Sequence, residues 1–268
     1  MAVHAVPLPR PRPPERRDTL RIVHPDLGYG PARLREPTSR GYIYIAAAVA
    51  PGRLPLVRPS RTRSRLLKEL KRLSLELAAV GGVAAVSVFR AIARPPTGRF
   101  SSYLAARSTG RAAYDVMVLI QTISSPVARD VLRTTPYKQM VDAIRRQTTD
   151  MHVMLARNVK RLADVDATRP GGLFLFNHFV ADHDYVMLEL WEYLAAWYMH
   201  ETGLRNSIAI APVERQEGGY TLVNWARWDV RLVRHILGQM SKRSFWKFVV
   251  ANLDANDAAA MPVYCRLV

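Results

Sequence analysis

Gly171-Gly172-Leu173-Phe174-Leu175-Phe176-Asn177-His178-Phe179-Val180 is a glycine pair opening an apolar run of strand length, interrupted by one amide and one imidazole. Asp184 follows at the entrance to a helix over Tyr185 to Glu201. Leu190, Trp191, Leu194, Trp197 and Tyr198 recur there at three- and four-residue spacings. Thr202-Gly203 ends that helix, as glycine does at a carboxy-terminal cap. Ser207 to Val213 and Tyr220 to Trp228 read as strands around a turn at Gln216 to Gly219. Helices over Val230 to Met240 and Ser244 to Leu253 and a strand over Met261 to Val268 complete a β-α-β-β-α-β order. This is the split βαβ, ferredoxin-like, α+β plan.

The same order fits the preceding residues. Gly41 to Val49 lies on the first strand position by position from Gly172 onward, which sets Ala46 opposite Asn177. Arg65 to Val80 is an amphipathic helix ending in Gly81-Gly82, and Val83 to Ala93 is the second strand. A basic excursion, Arg94 to Arg111, replaces the tight turn. Tyr114 to Thr122, Ser125 to Arg145 and Met151 to Val159 supply the third strand, a helix and the fourth strand. Lys160 to Pro170 is the expected linker. Two tandem ferredoxin-like domains follow, residues 40–159 and 171–268, the first a degenerate copy. Such a pair can close an α/β barrel within one chain and leave no open sheet face. A monomeric pseudo-dimer and a homodimer both satisfy that pattern. Residues 1–39, rich in proline and arginine, are expected as a disordered basic tail.

The chain has 268 residues and a formal net charge of +17. From Arg169 onward basic and acidic residues cancel, so the excess lies entirely in the first half. Eight basic residues and one acid occupy Arg53 to Arg72, and no aromatic residue lies among them to stack on bases. Nucleic acid is therefore not the expected partner. No apolar stretch approaches the ~20 residues of a membrane span. Met1 to Arg17 lacks the pattern of a secretory signal, and the one cysteine, Cys265, allows no internal disulfide. A cytoplasmic location without membrane attachment is the expectation.

Chemistry-bearing residues concentrate in the second half. Alternation puts Asn177 on the face of Leu173, Leu175 and Phe179 and turns His178 the other way. A buried amide must find hydrogen-bond partners, in the protein or in a ligand. Asn224-Trp225-Ala226-Arg227-Trp228-Asp229 offers an amide, two indoles and a guanidinium that together suit a flat polyphenol. Alternation sends Asn224 and Trp228 to one face and Trp225 and Arg227 to the other, so only one pair can line a given cavity. Trp191, Trp197 and Tyr198 of the preceding helix complete the candidate binding set. His235 is the candidate acid–base residue, since imidazole titrates near neutrality. His178, Asp182, His183 and Asp184 lack a supporting ligand spacing, so no metal is expected. No phosphate-cradling glycine motif is present, and no nucleotide cofactor is expected.

Leu175 to Phe179, the Trp191 helix ending at Gly203, and Val223 to Asp229 resemble the antibiotic biosynthesis monooxygenase superfamily. Within it, Phe176 to Val180, Asn224 to Asp229 and Ala260-Met261-Pro262-Val263-Tyr264-Cys265-Arg266 resemble the SchA/CurD-like proteins, encoded with spore-pigment and other aromatic polyketide synthases. The resemblance implies cofactor-independent oxidation of an aromatic polyketide by O₂. Asn177 and His235 would then be catalytic with Trp228, and Asn224, Trp225, Arg227, Trp191, Trp197 and Tyr198 would bind substrate. Heme-degrading members carry a functional Trp and His near the second helix. Leu237 and the region of Lys247 stand there in this sequence, so heme degradation is not implied. A polyketide cyclase of the same fold, and a ligand-binding protein docked on an acyl carrier protein, remain open alternatives.

Overall fold

The computed structural model describes residues 19–52, 55–148, 150–169, 171–214 and 219–268. The first β-α-β-β-α-β unit comprises β1 (Gly41–Ala47), α1 (Arg61–Ala78), β2 (Val83–Ala93), a short helix α2 (Ser101–Ala105), β3 (Val116–Thr122), α3 (Ser125–Val131), α4 (Thr135–Arg145) and β4 (Met151–Ala163). The second comprises β5 (Leu173–Ala181), α5 (Asp184–Thr202), β6 (Ser207–Pro212), β7 (Leu222–Trp228), α6 (Leu232–Met240), a π-helical turn Phe245–Val250, α7 (Ala251–Ala255) and β8 (Ala258–Leu267). The strands form one closed antiparallel barrel in the order β1-β3-β2-β8-β5-β7-β6-β4. Antiparallel β2–β8 and β4–β6 ladders join the two units, so neither sheet keeps an open edge. Among the described residues, no helix is long and apolar enough to cross a membrane.

Alternation along the strands divides the apolar residues between two regions. Tyr42, Tyr44, Phe89, Phe174, Phe176 and Trp225 fill the barrel together. Ile43, Ile45 and Ala47 face outward onto Leu66, Leu67, Leu70, Leu73 and Leu77, a continuous stripe of α1. Ser60 caps α1 by accepting from the Arg63 amide, and α5 ends at Gly203 with φ 67°, a backbone that glycine adopts at no steric cost.

Three expectations need correction. First, the two halves align one residue differently. Gly41 pairs with Thr122 on β3, and Leu173 pairs with Trp228 on β7. Ile45, not Ala46, is therefore the counterpart of Asn177, and Ala46 corresponds to His178. A slip of one residue exchanges the faces of a strand, so matched glycines are poor guides to register. Second, β4 runs through Ala163 because its carboxy-terminal end pairs with β6, so most of the expected linker's first residues are strand. Pro170 lies outside the described residues.

Third, residues 19–39 are not a free tail. Asn252 and Asn256 each exchange paired hydrogen bonds with the strap's backbone at Val23 and Arg21, at 2.7–3.2 Å. The Tyr29 hydroxyl donates to Glu201 at 2.5 Å, and Leu20, Ile22 and Leu27 pack on the core. Prolines supply no amide donors, but the few apolar residues between them are enough to anchor the strap when asparagines satisfy its backbone. Residues 1–18 lie outside the described set.

Candidate active site

The sheet and helices of the second unit enclose a cavity of about 410 Å³. This falls within the ~300–1,000 Å³ typical of small-molecule sites. Its floor is the outer face of β5, β7 and β8, and its walls come from α5, α6 and the π-helical turn. The turn presents Phe245, Trp246, Val249 and Val250; such widened turns recur at functional sites. The first unit closes the mouth with Pro55 and Leu56 and with the segment Pro95 to Phe100. In the corresponding place of the first unit, the α1 leucines pack directly on Ile43 and Ile45.

Asn177 and Asn224 are direct cross-strand partners and both line the cavity. Their two amides thus stand side by side on an otherwise apolar floor. The Asn224 oxygen accepts from the Trp191 indole at 3.1 Å and from the Ser207 hydroxyl at 2.6 Å, so its amide nitrogen is the group left for a ligand. The Asn177 oxygen is buried and has no hydrogen-bond partner. The equivalent pair in the first unit, Ile45 and Val118, is apolar. A buried amide oxygen without a partner is costly, roughly 1–3 kcal/mol.

Tyr198, Tyr264 and Gln239 form the polar corner of the cavity. The Gln239 amide donates to the Tyr198 hydroxyl at 3.1 Å and accepts from Tyr264 at 3.4 Å, which leaves the Tyr198 O–H to donate to a ligand. Burial pushes both phenols upward in pKa, so both stay protonated at neutral pH. Trp228 lines the cavity with its indole N–H held by Thr202 at 3.0 Å.

His235 stands one ring away from the cavity. Its imidazole packs on Trp228 with centroids 4.5 Å apart and on Tyr264 at 5.5 Å, and its Nε2 has no partner. Burial lowers its pKa to about 4, so the ring is neutral at neutral pH, though a weaker base than a solvated imidazole. His178 faces into the barrel, where it shares a 2.8 Å hydrogen bond with Tyr44, and its pKa is lowered to about 3. Burial also lowers His152 to about 4. The unfolded chain takes up protons below about 6.5 that these folded imidazoles refuse, so stability is full at neutral pH and falls as the pH drops from 6.5 towards 4. We expect Tm to be lower near pH 4.5 than near pH 7. The difference should shrink in His235→Phe, on the order of 1–2 kcal/mol, because the unpartnered ring then has nothing to protonate. An undiminished difference would show that His235 already takes up its proton in the folded chain.

The remaining candidates lie away from this cavity: Trp225, Arg227 and Trp197, expected among the substrate-binding residues, are not in its lining. Trp225 points into the barrel and stacks with Phe176, 6.3 Å away at 10°. Arg227 is held on that same side by Asp229 at 2.7 Å and by the Asp166 carbonyl at 2.9 Å. Trp197 is fully buried against Tyr198 and Phe245, with its indole donating to Ser244 at 3.1 Å. Asp182 is clamped by two nitrogens of Arg107, Nε and Nη2, each at 2.6 Å. Among the described residues, no group of three or more His, Cys, Asp or Glu is placed to hold a metal ion.

No protein-family profile and no curated relative matches the sequence. Solved structures do match. A structure described as an anthrone oxidase-like protein superposes with a TM-score of 0.58 at 12% identity, over 88% of this chain and 94% of its own. A candidate monooxygenase from Fusobacterium nucleatum superposes with a TM-score of 0.52 at 8% identity, over 87% of this chain and 94% of its own. The fold is the dimeric α/β barrel, closed here within one chain. Likeness at such identities concerns the fold, and the chemistry rests on the cavity.

Proposed function

We propose that the cavity oxidises a planar polyphenolic substrate, of the aromatic polyketide kind, with molecular oxygen and no cofactor. The observation that carries this reading is the unpartnered Asn177 amide oxygen beside Asn224 on the floor of an aromatic cavity. An amide offers one donor and one acceptor side by side, the complement of a ring carbonyl flanked by a hydroxyl. Both amide nitrogens and the Tyr198 O–H then donate to the oxygen on which charge develops when the substrate loses a proton. Apolar walls exclude water and admit O₂. In this reading His235 takes the proton, because it is the nearest neutral base without a partner, and Trp228 holds the ring in place.

For an anthrone the balance is one O₂ consumed per quinone formed. The methylene carbon loses two hydrogens and gains one oxygen atom, and the second oxygen atom leaves as water. The resemblance of Phe176–Val180, Asn224–Asp229 and Ala260–Arg266 to SchA/CurD-like proteins supports the same substrate class. Oxygen consumption by the purified protein with an anthrone, read together with ¹⁸O₂ incorporation of one atom into the quinone, tests the proposal. No uptake would overturn it. A new ring pattern from an uncyclised poly-β-ketone without uptake would instead identify a cyclase.

A further inference from the structure

Among the described residues lining the cavity, Arg99 is the one charged side chain, and it comes from the other half of the chain. It stands at the mouth, on the single turn Gly98–Phe100 that follows Pro95-Pro96-Thr97. Its guanidinium lies 5.4 Å from the Phe100 ring, and its carboxylate partner is Asp254, which precedes the last residue of α7. Both members of that pair are about half exposed, with relative side-chain accessibilities of 40% and 50%. An exposed pair of this kind contributes little to stability and exchanges readily with another anion. Deeper in the cavity the polar groups of the described residues are neutral amides, hydroxyls and indoles, so Arg99 is the group placed to meet a ligand charge.

We propose that Arg99 forms an anion subsite at the mouth, so that the preferred ligand is a planar polycycle carrying a carboxylate at the end remote from the Asn177–Asn224 pair. This rests on the reading of the cavity as a polyphenol site. The ring system enters under Pro95 and Pro96, its carboxylate displaces Asp254 from Arg99, and the bidentate fork of the guanidinium fixes which end stays at the mouth. Arg99 is thereby a specificity-determining and positioning residue supplied by the degenerate half. The Arg94 to Arg111 excursion of that half is what brings the side chain to the mouth.

Binding of two inert probes tests this without turnover: anthraquinone-2-carboxylate and anthraquinone-2-carboxamide, titrated by quenching of tryptophan fluorescence. The carboxylate should bind about tenfold more tightly than the carboxamide, the difference a charge-assisted pair makes. Arg99→Gln should abolish the preference while leaving carboxamide affinity unchanged, and Arg99→Lys should retain part of it. Asp254→Asn, which removes the competing carboxylate, should raise affinity for the carboxylate probe alone. Equal affinities in the natural protein, a preference that survives Arg99→Gln, or weaker carboxylate binding in Asp254→Asn would each overturn the subsite. If both probes bind equally and Asn177→Leu weakens both, the subsite falls while the polyphenol site stands; if neither binds, both readings fall.

Discussion

Asn177→Leu is expected to lower turnover by roughly 10²–10³-fold, the usual consequence of removing one donor from a developing oxyanion. The same substitution is expected to raise stability. In the free protein the Asn177 oxygen is buried without a partner among Leu175, Phe179 and Pro262, so a leucine of similar size relieves a cost of roughly 1–3 kcal/mol. For a chain of this size that corresponds to a rise in Tm of about 2–4 °C per kcal/mol. Thermal unfolding and oxygen consumption on one preparation distinguish the possibilities. A fall in Tm would mean that the amide has a structural partner, and unchanged turnover would mean that it takes no part in the reaction. Opposite signs in the two measurements are the mark of a residue kept for function against stability.

Asp115→Ala is expected to cause the largest loss of stability. Its carboxylate is fully buried just before β3 and is satisfied three ways: by the Val49 amide at 2.8 Å, the Ala50 amide at 2.9 Å and the Arg63 guanidinium at 2.9 Å. Removing it leaves a guanidinium of 6% side-chain exposure without its counterion, together with two unpaired amides. Breaking one side of a buried ion pair costs about 3–5 kcal/mol, a large share of the ~5–15 kcal/mol that holds a domain together. Arg94 stands beside this cluster and donates to the carbonyls of Ala113, at 2.7 Å, and Pro51. The cluster thus holds the two loops that lead to Pro55–Leu56 and to Pro95–Phe100, the first unit's share of the cavity wall. KM should accordingly rise more than kcat falls in any Asp115 variant that still folds. Urea unfolding gives the stability change directly; a loss below about 1 kcal/mol would show that the cluster does not hold the loops.

These two residues also separate what could be read early from what could not. The element order of both halves was legible because each strand and helix declares itself over a short span. The stripe Leu66, Leu70, Leu73 and Leu77, the apolar run ending at Val180 and the stop at Gly203 are local facts, set by periodicity and by the backbone freedom of glycine. Alternation likewise put Asn224 and Trp228 on one face of their strand and Trp225 and Arg227 on the other, as the structure has them; that Asn177 shares the face of Asn224 comes from the pairing of β5 with β7. It could not say which face carried the cavity. That depends on the gap between sheet and helices, which Leu66 to Leu77 fill in one half and α5, α6 and the π-helical turn leave open in the other.

The side-chain contacts that join distant segments escaped the sequence for the same reason. Asp115 meets Arg63 across 52 residues, Arg99 meets Asp254 across 155, and the amino-terminal strap meets Asn252 and Asn256 across more than 200. The arginines of the first half read as a surplus of charge, yet Arg63 and Arg94 are buried and spend their donors on a carboxylate and on backbone carbonyls. What the sequence determined by itself is the repeating unit and its amphipathic faces, because propensity and periodicity act within a few residues. What tertiary structure decided is that the barrel closes within one chain rather than between two, which face opens into the cavity, and which polar groups are left over inside it. Pairing over such separations follows from register and packing volume, which no local pattern records.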